Sequence, residues 1–233
     1  MQSSKTILVT NELNETAIAY AKSLSLHLMV EPMIKTAIRE NELNVFQKIA
    51  AEDTSEAWVF TSKNAVQAFL KIKDQLPNYK LKKFYAVGKK TAAHLEDFGI
   101  VVHVPEREYA ADLAELIMAQ NIHSVLFWCG NLRREVLPNF LKEKNIALKE
   151  LVVYDTIPQP KKITAHYDAI GFLSSSAVES FFSANKISVA IPLFAIGETT
   201  FQTLKKHTAN KIFVAEKPEV NKLLDLIFYS TII

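Results

Sequence analysis

The stretch Trp58-Val-Phe-Thr-Ser-Lys-Asn-Ala-Val-Gln-Ala-Phe69 returns 112 residues later as Ile170-Gly-Phe-Leu-Ser-Ser-Ser-Ala-Val-Glu-Ser-Phe181. Each copy opens with a short apolar run, crosses small polar residues, and resumes with apolar residues at helical spacing. That order reads as β-strand, tight turn and α-helix. Further along, Tyr85-Ala-Val-Gly88 matches Phe194-Ala-Ile-Gly197, and Thr91 falls opposite Thr200, now 109 apart. Val104, Leu113, Leu116 and Ile117 then match Val214, Leu223, Leu226 and Ile227 at 110, while Thr36 and Thr156 each close a strand-like run. A period this long is not that of a solenoid. It predicts two copies of one α/β domain, because the small polar residues after the strands match as well as the apolar ones.

The rest of the chain fits that unit. Strands are expected at Lys5–Thr10, His27–Glu31, Ala57–Phe60, Phe84–Val87, Val101–Val104, Ser124–Cys129, Ala147–Tyr154, Asp168–Phe172, Pro192–Ile196 and Lys211–Ala215. Between most of them the apolar spacing is near 3.6, as in Ala65/Val66/Phe69/Leu70, Leu113/Leu116/Ile117 and Leu137/Phe140/Leu141. Alternating strands and helices argue for parallel α/β sheets. Breaks fall at Pro32 to Ile38 and at Pro158-Gln-Pro160-Lys-Lys162, where paired prolines favour extended backbone. With 233 residues, 49% of them apolar, there is material for two modest cores.

A net charge of +2 gives no bulk attraction to nucleic acid or to a membrane surface, so any anion site must be built locally. The single cysteine, Cys129, allows no internal disulfide and suits a reducing compartment. The start MQSSKTILVT lacks the pattern of a signal peptide, and no run reaches the ~20 apolar residues of a membrane span. A cytoplasmic location is expected.

Familiar catalytic motifs are missing. Neither GxGxxG nor GxxxxGK[ST] occurs, and the six histidines show no metal-ligand spacing. What remains is a set of turns rich in Ser, Thr, Asn and Gly, each at the carboxyl end of an expected strand. They are Thr61-Ser62-Lys63-Asn64, Gly88-Lys89-Lys90-Thr91, Gly130-Asn131-Leu132-Arg133-Arg134, Ser174-Ser175-Ser176 and Gly197-Glu198-Thr199-Thr200. Open parallel sheets bind ligands at that end, and free N–H groups at a helix start suit an anion. For a single turn, plain N-capping is the simpler explanation; five across two repeats favour a shared anion site. Tyr154 ends the apolar run Leu151-Val-Val-Tyr154, whereas its counterpart in the other copy is Ile34. Position alone leaves it open between a packed phenol and a functional one.

Taken together, these residues resemble the uroporphyrinogen-III synthase family over nearly the whole chain. The likeness rests on Phe60-Thr-Ser-Lys-Asn-Ala-Val66, Ala86-Val-Gly88 with Thr91-Ala92, Arg134-Glu135 with Leu137, and Val153-Tyr154 with Thr156. Asp168 to Val178, Ala195-Ile-Gly-Glu-Thr-Thr200, and Ala215 with Pro218 complete it. The chain departs from the family pattern at Asn11, where an arginine is usual, at Ser175, where a proline is common, and near Ser25, where a helix-ending glycine is expected.

The resemblance implies two flavodoxin-like α/β domains with parallel sheets, joined by two β-strand linkers. One domain would comprise residues 1–35 with 158–233 and the other 39–153, with linkers near 36–38 and 154–157. The implied substrate is hydroxymethylbilane, whose acetates and propionates would meet Thr61, Ser62, Asn64, Gly88, Lys89, Thr91, Arg134, Ser174, Ser175, Ser176, Gly197, Glu198, Thr199 and Thr200 in a cleft between the domains. Tyr154 would be the proton donor. The implied reaction is a cofactor-free and metal-free cyclisation that inverts the fourth pyrrole and releases water. The expected protein is a monomer, with a transient contact to the preceding pathway enzyme left open. A non-catalytic two-domain module that binds a small anion fits the composition and the repeats equally well.

Overall fold

A computed structural model of the chain describes residues 5–232, and its secondary structure follows the alternation of short apolar runs and amphipathic stretches. The chain forms two compact units: Thr36–Thr156, and the residues up to Lys35 together with those from Ile157 onward.

The discontinuous unit holds strands β1 (Thr6–Val9) and β2 (His27–Val30), with helix α1 (Glu15–Ser23) between them. After the other unit it continues with β9 (Ala169–Phe172), α7 (Ser175–Ala184), β10 (Leu193–Ala195), α8 (Glu198–His207), β11 (Ile212–Val214) and α9 (Val220–Ile232). Its sheet runs β2-β1-β9-β10-β11, and its four neighbouring pairs are all parallel. Counted within the unit this is the order 2-1-3-4-5, that of flavodoxin-like sheets.

The continuous unit holds β3 (Ile34–Ile38), α2 (Leu43–Ala51), β4 (Ala57–Phe60), α3 (Lys63–Leu70), β5 (Lys83–Ala86), α4 (Lys89–Glu96) and β6 (Val102–His103). It ends with α5 (Ala110–Ala119), β7 (Ser124–Gly130), α6 (Val136–Glu143) and β8 (Ala147–Pro158). Its sheet order is β3-β8-β7-β4-β5-β6. Leaving β3 aside, β8-β7-β4-β5-β6 repeats the other sheet with β7–β8 in the place of β1–β2. The repeat in the sequence is therefore a permuted domain. Residues 36–38 and 154–157, the β-strand linkers that the resemblance implies, lie inside β3 and β8, neighbours in the six-stranded sheet.

Helices cover both faces of each sheet, which is why the central strands read as unbroken apolar runs rather than alternating ones. β4 is buried throughout. Its Trp58 and Phe60 face one core with Phe69, Phe84 and Trp128, and its Val59 faces a second with Leu113, Ile117 and Phe127. Rings in the first core pack closely, Trp58 and Trp128 having centroids 5.3 Å apart. In the other unit, Phe172, Phe181 and Leu204 fill one face, and Ile7, Phe194, Leu223 and Ile227 the other.

Helix ends follow local chemistry. Ser25, Asn121 and Asn145 take left-handed backbone with φ of 56°, 53° and 55°, and Gly99 does so with φ of 74°. Asn is a common substitute for glycine there. Ser25 occupies the position at which glycine is missing, at some conformational cost.

A buried polar cluster closes the lower end of the continuous unit. Trp58 donates its indole N–H to Asp53 over 2.9 Å, the Ser55 hydroxyl also donates to Asp53, and Lys82 lies 3.4 Å from the same carboxylate while donating to the Asp53 carbonyl at 2.8 Å. Burial pushes the Asp53 carboxyl upward, but the Ser55 and Trp58 hydrogen bonds and the Lys82 charge outweigh it and hold the group below its ordinary value. A depressed native pKa contributes stability above the unfolded value, about 4, and that contribution is lost as pH falls through the native one. In equilibrium unfolding across pH 2–7, wild type should lose stability below about pH 4, and Asp53→Asn should flatten this part of the curve. An unchanged acid limb in the variant would remove Asp53 from the account.

Candidate functional site

Where two neighbouring strands send their following helices to opposite faces, neither helix covers the gap at the strand ends. In the continuous unit this happens between β4 and β7. α3 packs on the Trp58 side, through Ala65, Val66 and Phe69, whereas α6 packs on the Val59 side, through Leu137 and Leu141. A cavity of about 540 Å³ opens there, and Thr61, Ser62, Val87, Glu108, Arg134 and Tyr154 are among the residues that line it.

Ser62 is the N-cap of α3, its hydroxyl accepting the Ala65 N–H at 3.2 Å. It shares the cavity lining with the Tyr154 phenol. Burial raises the phenol's pKa, and the neighbouring Ser62 hydroxyl opposes that only in part. Tyr154 is half-buried, and its ring lies across Gly130, where an added methyl group would overlap it.

The two arginines differ. Arg133 is paired with both Glu135 and Glu150, the latter at 2.8 Å, and these carboxylates hold it firmly protonated. Arg134 is exposed, and among the described residues no acidic side chain pairs with it. Of the remaining residues singled out in this unit, Asn64 is half-buried in the first turn of α3 and Thr91 is buried within α4. Gly88 is the N-cap of α4 and offers no side-chain cap. A carboxylate already sits there: Glu108 accepts the Lys89 N–H at 3.2 Å.

The discontinuous unit repeats the arrangement between β1 and β9, whose helices α1 and α7 also leave for opposite faces. Ser174 is the N-cap of α7, accepting the Ala177 N–H at 3.2 Å, and pairs with Ser176. Ser175 donates to the Thr199 carbonyl at 3.2 Å, joining the starts of α7 and α8. Gly197 starts α8 without a side-chain cap, and the exposed Glu198 and Thr199 follow it. Thr200, like Thr91, is buried.

Several neighbours were not singled out from the sequence. Asn11 accepts the Leu173 N–H and donates to Ser174, each at 3.3 Å, so it bridges β1 and β9. Glu108 and Tyr109 come from the loop before α5, which carries no motif. Among the described residues, no cluster of three His, Cys, Asp or Glu side chains is placed to hold a metal ion, and no helix is long and apolar enough to cross a membrane.

A family model described as Uroporphyrinogen-III synthase HemD matches residues 15–225. The uroporphyrinogen-III synthase of Chlorobaculum parvum is 31% identical over 167 residues, which are 63% of this chain and 68% of that protein. Among solved structures, a mutant uroporphyrinogen III synthase from Thermus thermophilus aligns with TM-score 0.70 at 18% identity, covering 98% of this chain and 99% of that one. Uroporphyrinogen-III synthetase from Helicobacter pylori aligns with TM-score 0.68 at 20% identity, covering 98% and 100%. At such identities the two structures speak for the fold.

The contrast between the arginines is testable by denaturation. Arg133→Met strands Glu135 and Glu150 and should cost up to about 1 kcal/mol, whereas Arg134→Met should stay within about 0.5 kcal/mol of wild type. Equal losses would show that Arg134 is held structurally after all.

Proposed function

This chain belongs to the uroporphyrinogen-III synthase family, and from that premise we propose how its residues carry the reaction. The enzyme closes hydroxymethylbilane into uroporphyrinogen III. The terminal hydroxyl leaves as water, and the resulting azafulvene cation is attacked by the substituted carbon of the fourth ring. The spiro intermediate fragments and recloses with that ring inverted. The electron-rich tetrapyrrole supplies the nucleophile and the electrophile, so the protein's tasks are to fold the bilane, shield the cation and deliver one proton.

Tyr154 delivers the proton. Its phenol is protonated at neutral pH as any ordinary tyrosine is, burial moving its pKa further up, and Ser62 orients the oxygen. As the hydroxyl departs, the O–H bond of Tyr154 breaks and water forms. The phenolate so produced accepts a hydrogen bond from the Ser62 hydroxyl and recovers its proton when ring closure releases one.

The substrate's carboxylates are taken by neutral donors and a few charges. In the continuous unit these are Thr61, Ser62, Asn64, Arg134 and the α4 start at Gly88 and Lys89. In the other they are Ser174, Ser175, Ser176 and the α8 start at Gly197, Glu198 and Thr199, the last three through backbone N–H groups. Thr91 and Thr200 serve from beneath, by packing. Gly197 has room for a methyl group, the nearest atom to one being Pro218 Cβ at 3.7 Å; its bareness matters for a ligand's approach rather than for the fold.

One observation supports this division of roles above the others: a protonated phenol, a serine that orients it and an arginine with no internal acid line one cavity at a strand switch point. With freshly made hydroxymethylbilane and no additive, the protein should yield the type III isomer by chromatography. Recovery of only the spontaneous type I isomer would refute the assignment.

Tyr154→Phe keeps the ring and removes the proton. Its turnover rate should fall by about 10²-fold or more, with melting temperature nearly unchanged, since one hydrogen bond is worth roughly 0.5–1.5 kcal/mol. Full turnover in this variant would leave confinement and solvent water to do the work.

A further inference from the structure

Strand alternation should separate neighbouring residues to opposite faces of a sheet. Val153 and Tyr154 break this rule, for both pack against the Trp58 core. The cause is a bulge in β8. Cys129 pairs with Val152, but the next residue, Gly130, pairs with Tyr154, so Val153 is the extra residue. In a regular ladder Val153 would pair with Gly130, and Tyr154, one place further on, would point to the other face.

A bulge loosens the ladder just where the side chain must be aimed. The strand beyond it is nevertheless held on both edges. On one edge the Asn131 N–H donates to the Tyr154 carbonyl at 3.1 Å, and the Asn131 side chain takes over as a substitute strand. Its Oδ1 accepts the Thr156 N–H at 2.8 Å and its Nδ2 donates to the Thr156 carbonyl at 3.4 Å. On the other edge Arg39 holds Asp155 through two bonds of 2.8 and 3.0 Å, and its own N–H donates to the Val153 carbonyl at 3.1 Å. Gly130 completes the cradle, since any side chain there would displace the Tyr154 ring.

We infer that Asn131 is a positioning residue for Tyr154, pinning the backbone past the bulge so that the phenol lies over Gly130 and reaches Ser62. The inference rests on the reading of Tyr154 as the proton donor. Asn131 itself is exposed and replaceable without opening a core.

The experiment compares Asn131→Ala, Asn131→Asp, Gly130→Ala and Tyr154→Phe, using hydroxymethylbilane turnover and alkaline absorbance titration of the phenols. Asn131→Ala should lower kcat by about ten- to a hundred-fold, the scale of a misplaced reacting group, with KM within about two-fold. The titration component that Tyr154→Phe removes should shift toward the ordinary tyrosine value in Asn131→Ala, because the ring is no longer held down. Asn131→Asp retains the acceptor for the Thr156 N–H and should recover most of the rate. Gly130→Ala keeps the Asn131 bonds but pushes the ring, and should reproduce the loss by a second route. Asn131→Ala in the Tyr154→Phe background should cost nothing further. An Asn131→Ala enzyme with unchanged kcat and unchanged titration overturns the inference and leaves Tyr154's role standing. A shifted titration with fully active Tyr154→Phe supports the positioning and refutes the catalytic reading instead.

Discussion

A helix leaving a parallel strand can cover only one face of the sheet, and two adjacent strands whose helices leave for opposite faces must share an uncovered gap. Both units are built around that constraint. In one the gap lies between β4 and β7, in the other between β1 and β9. Apolar burial on both faces fixes the strands so firmly that only their carboxyl ends are free to vary. The polar turns are therefore where the fold permits chemistry. Permutation of the chain between the units leaves this intact, because the gap is set by sheet order and not by where the chain enters.

Within that frame the two copies have diverged in one respect that matters. The continuous unit carries an extended β8 with a bulge opposite Gly130, and the bulge turns a phenol toward the gap. In the discontinuous unit Asn11 instead spans the gap, tying β1 to Leu173 and Ser174. One switch point thus holds a phenol and an arginine that has no acidic partner among the described residues, the other neutral hydrogen-bond donors already ordered by one another. The same sheet order supplies the scaffold twice, and small backbone irregularities give the two copies different chemical content.

The sheets were legible in the sequence because burial on two faces leaves an unmistakable run such as Trp58-Val-Phe60, and because the turn after it repeats at Ser174. N-capping was legible too: Ser62 and Ser174 cap α3 and α7 as small hydroxyls after a strand should. Membership of β3 in the six-stranded sheet was not. Ile34–Ile38 follows a proline and carries no periodicity that separates an edge strand from a linker. Arg133 and Arg134 were indistinguishable as neighbours in sequence, since what separates them is Glu150, a residue seventeen positions on in β8. Thr91 and Thr200 looked like their exposed neighbours, but helical spacing turns them inward. The bulge at Val153 left no sequence signal, for the alternation it violates is hidden inside an apolar run.

A net charge of only +2 raises the question of how such a chain could hold a polycarboxylate. The structure contains its own illustration of the answer. At the start of α4, Glu108 rests on the Lys89 N–H, with no basic side chain among the described residues paired to it, over the bare backbone of Gly88. Helix amino termini supply partial positive charge and donors already pointed outward, so carboxylates can be gathered without a dense basic patch. For a bilane that forms a cation during reaction, this has an advantage beyond economy. Fixed lysines and arginines around the cavity would raise the energy of that cation, whereas dipoles aimed at the peripheral carboxylates would anchor such a molecule by its rim. Among the described residues that line the cavity only two are arginines, and one of those is neutralised by Glu135 and Glu150. The balance of charge around the site thus suits the intermediate as well as the substrate.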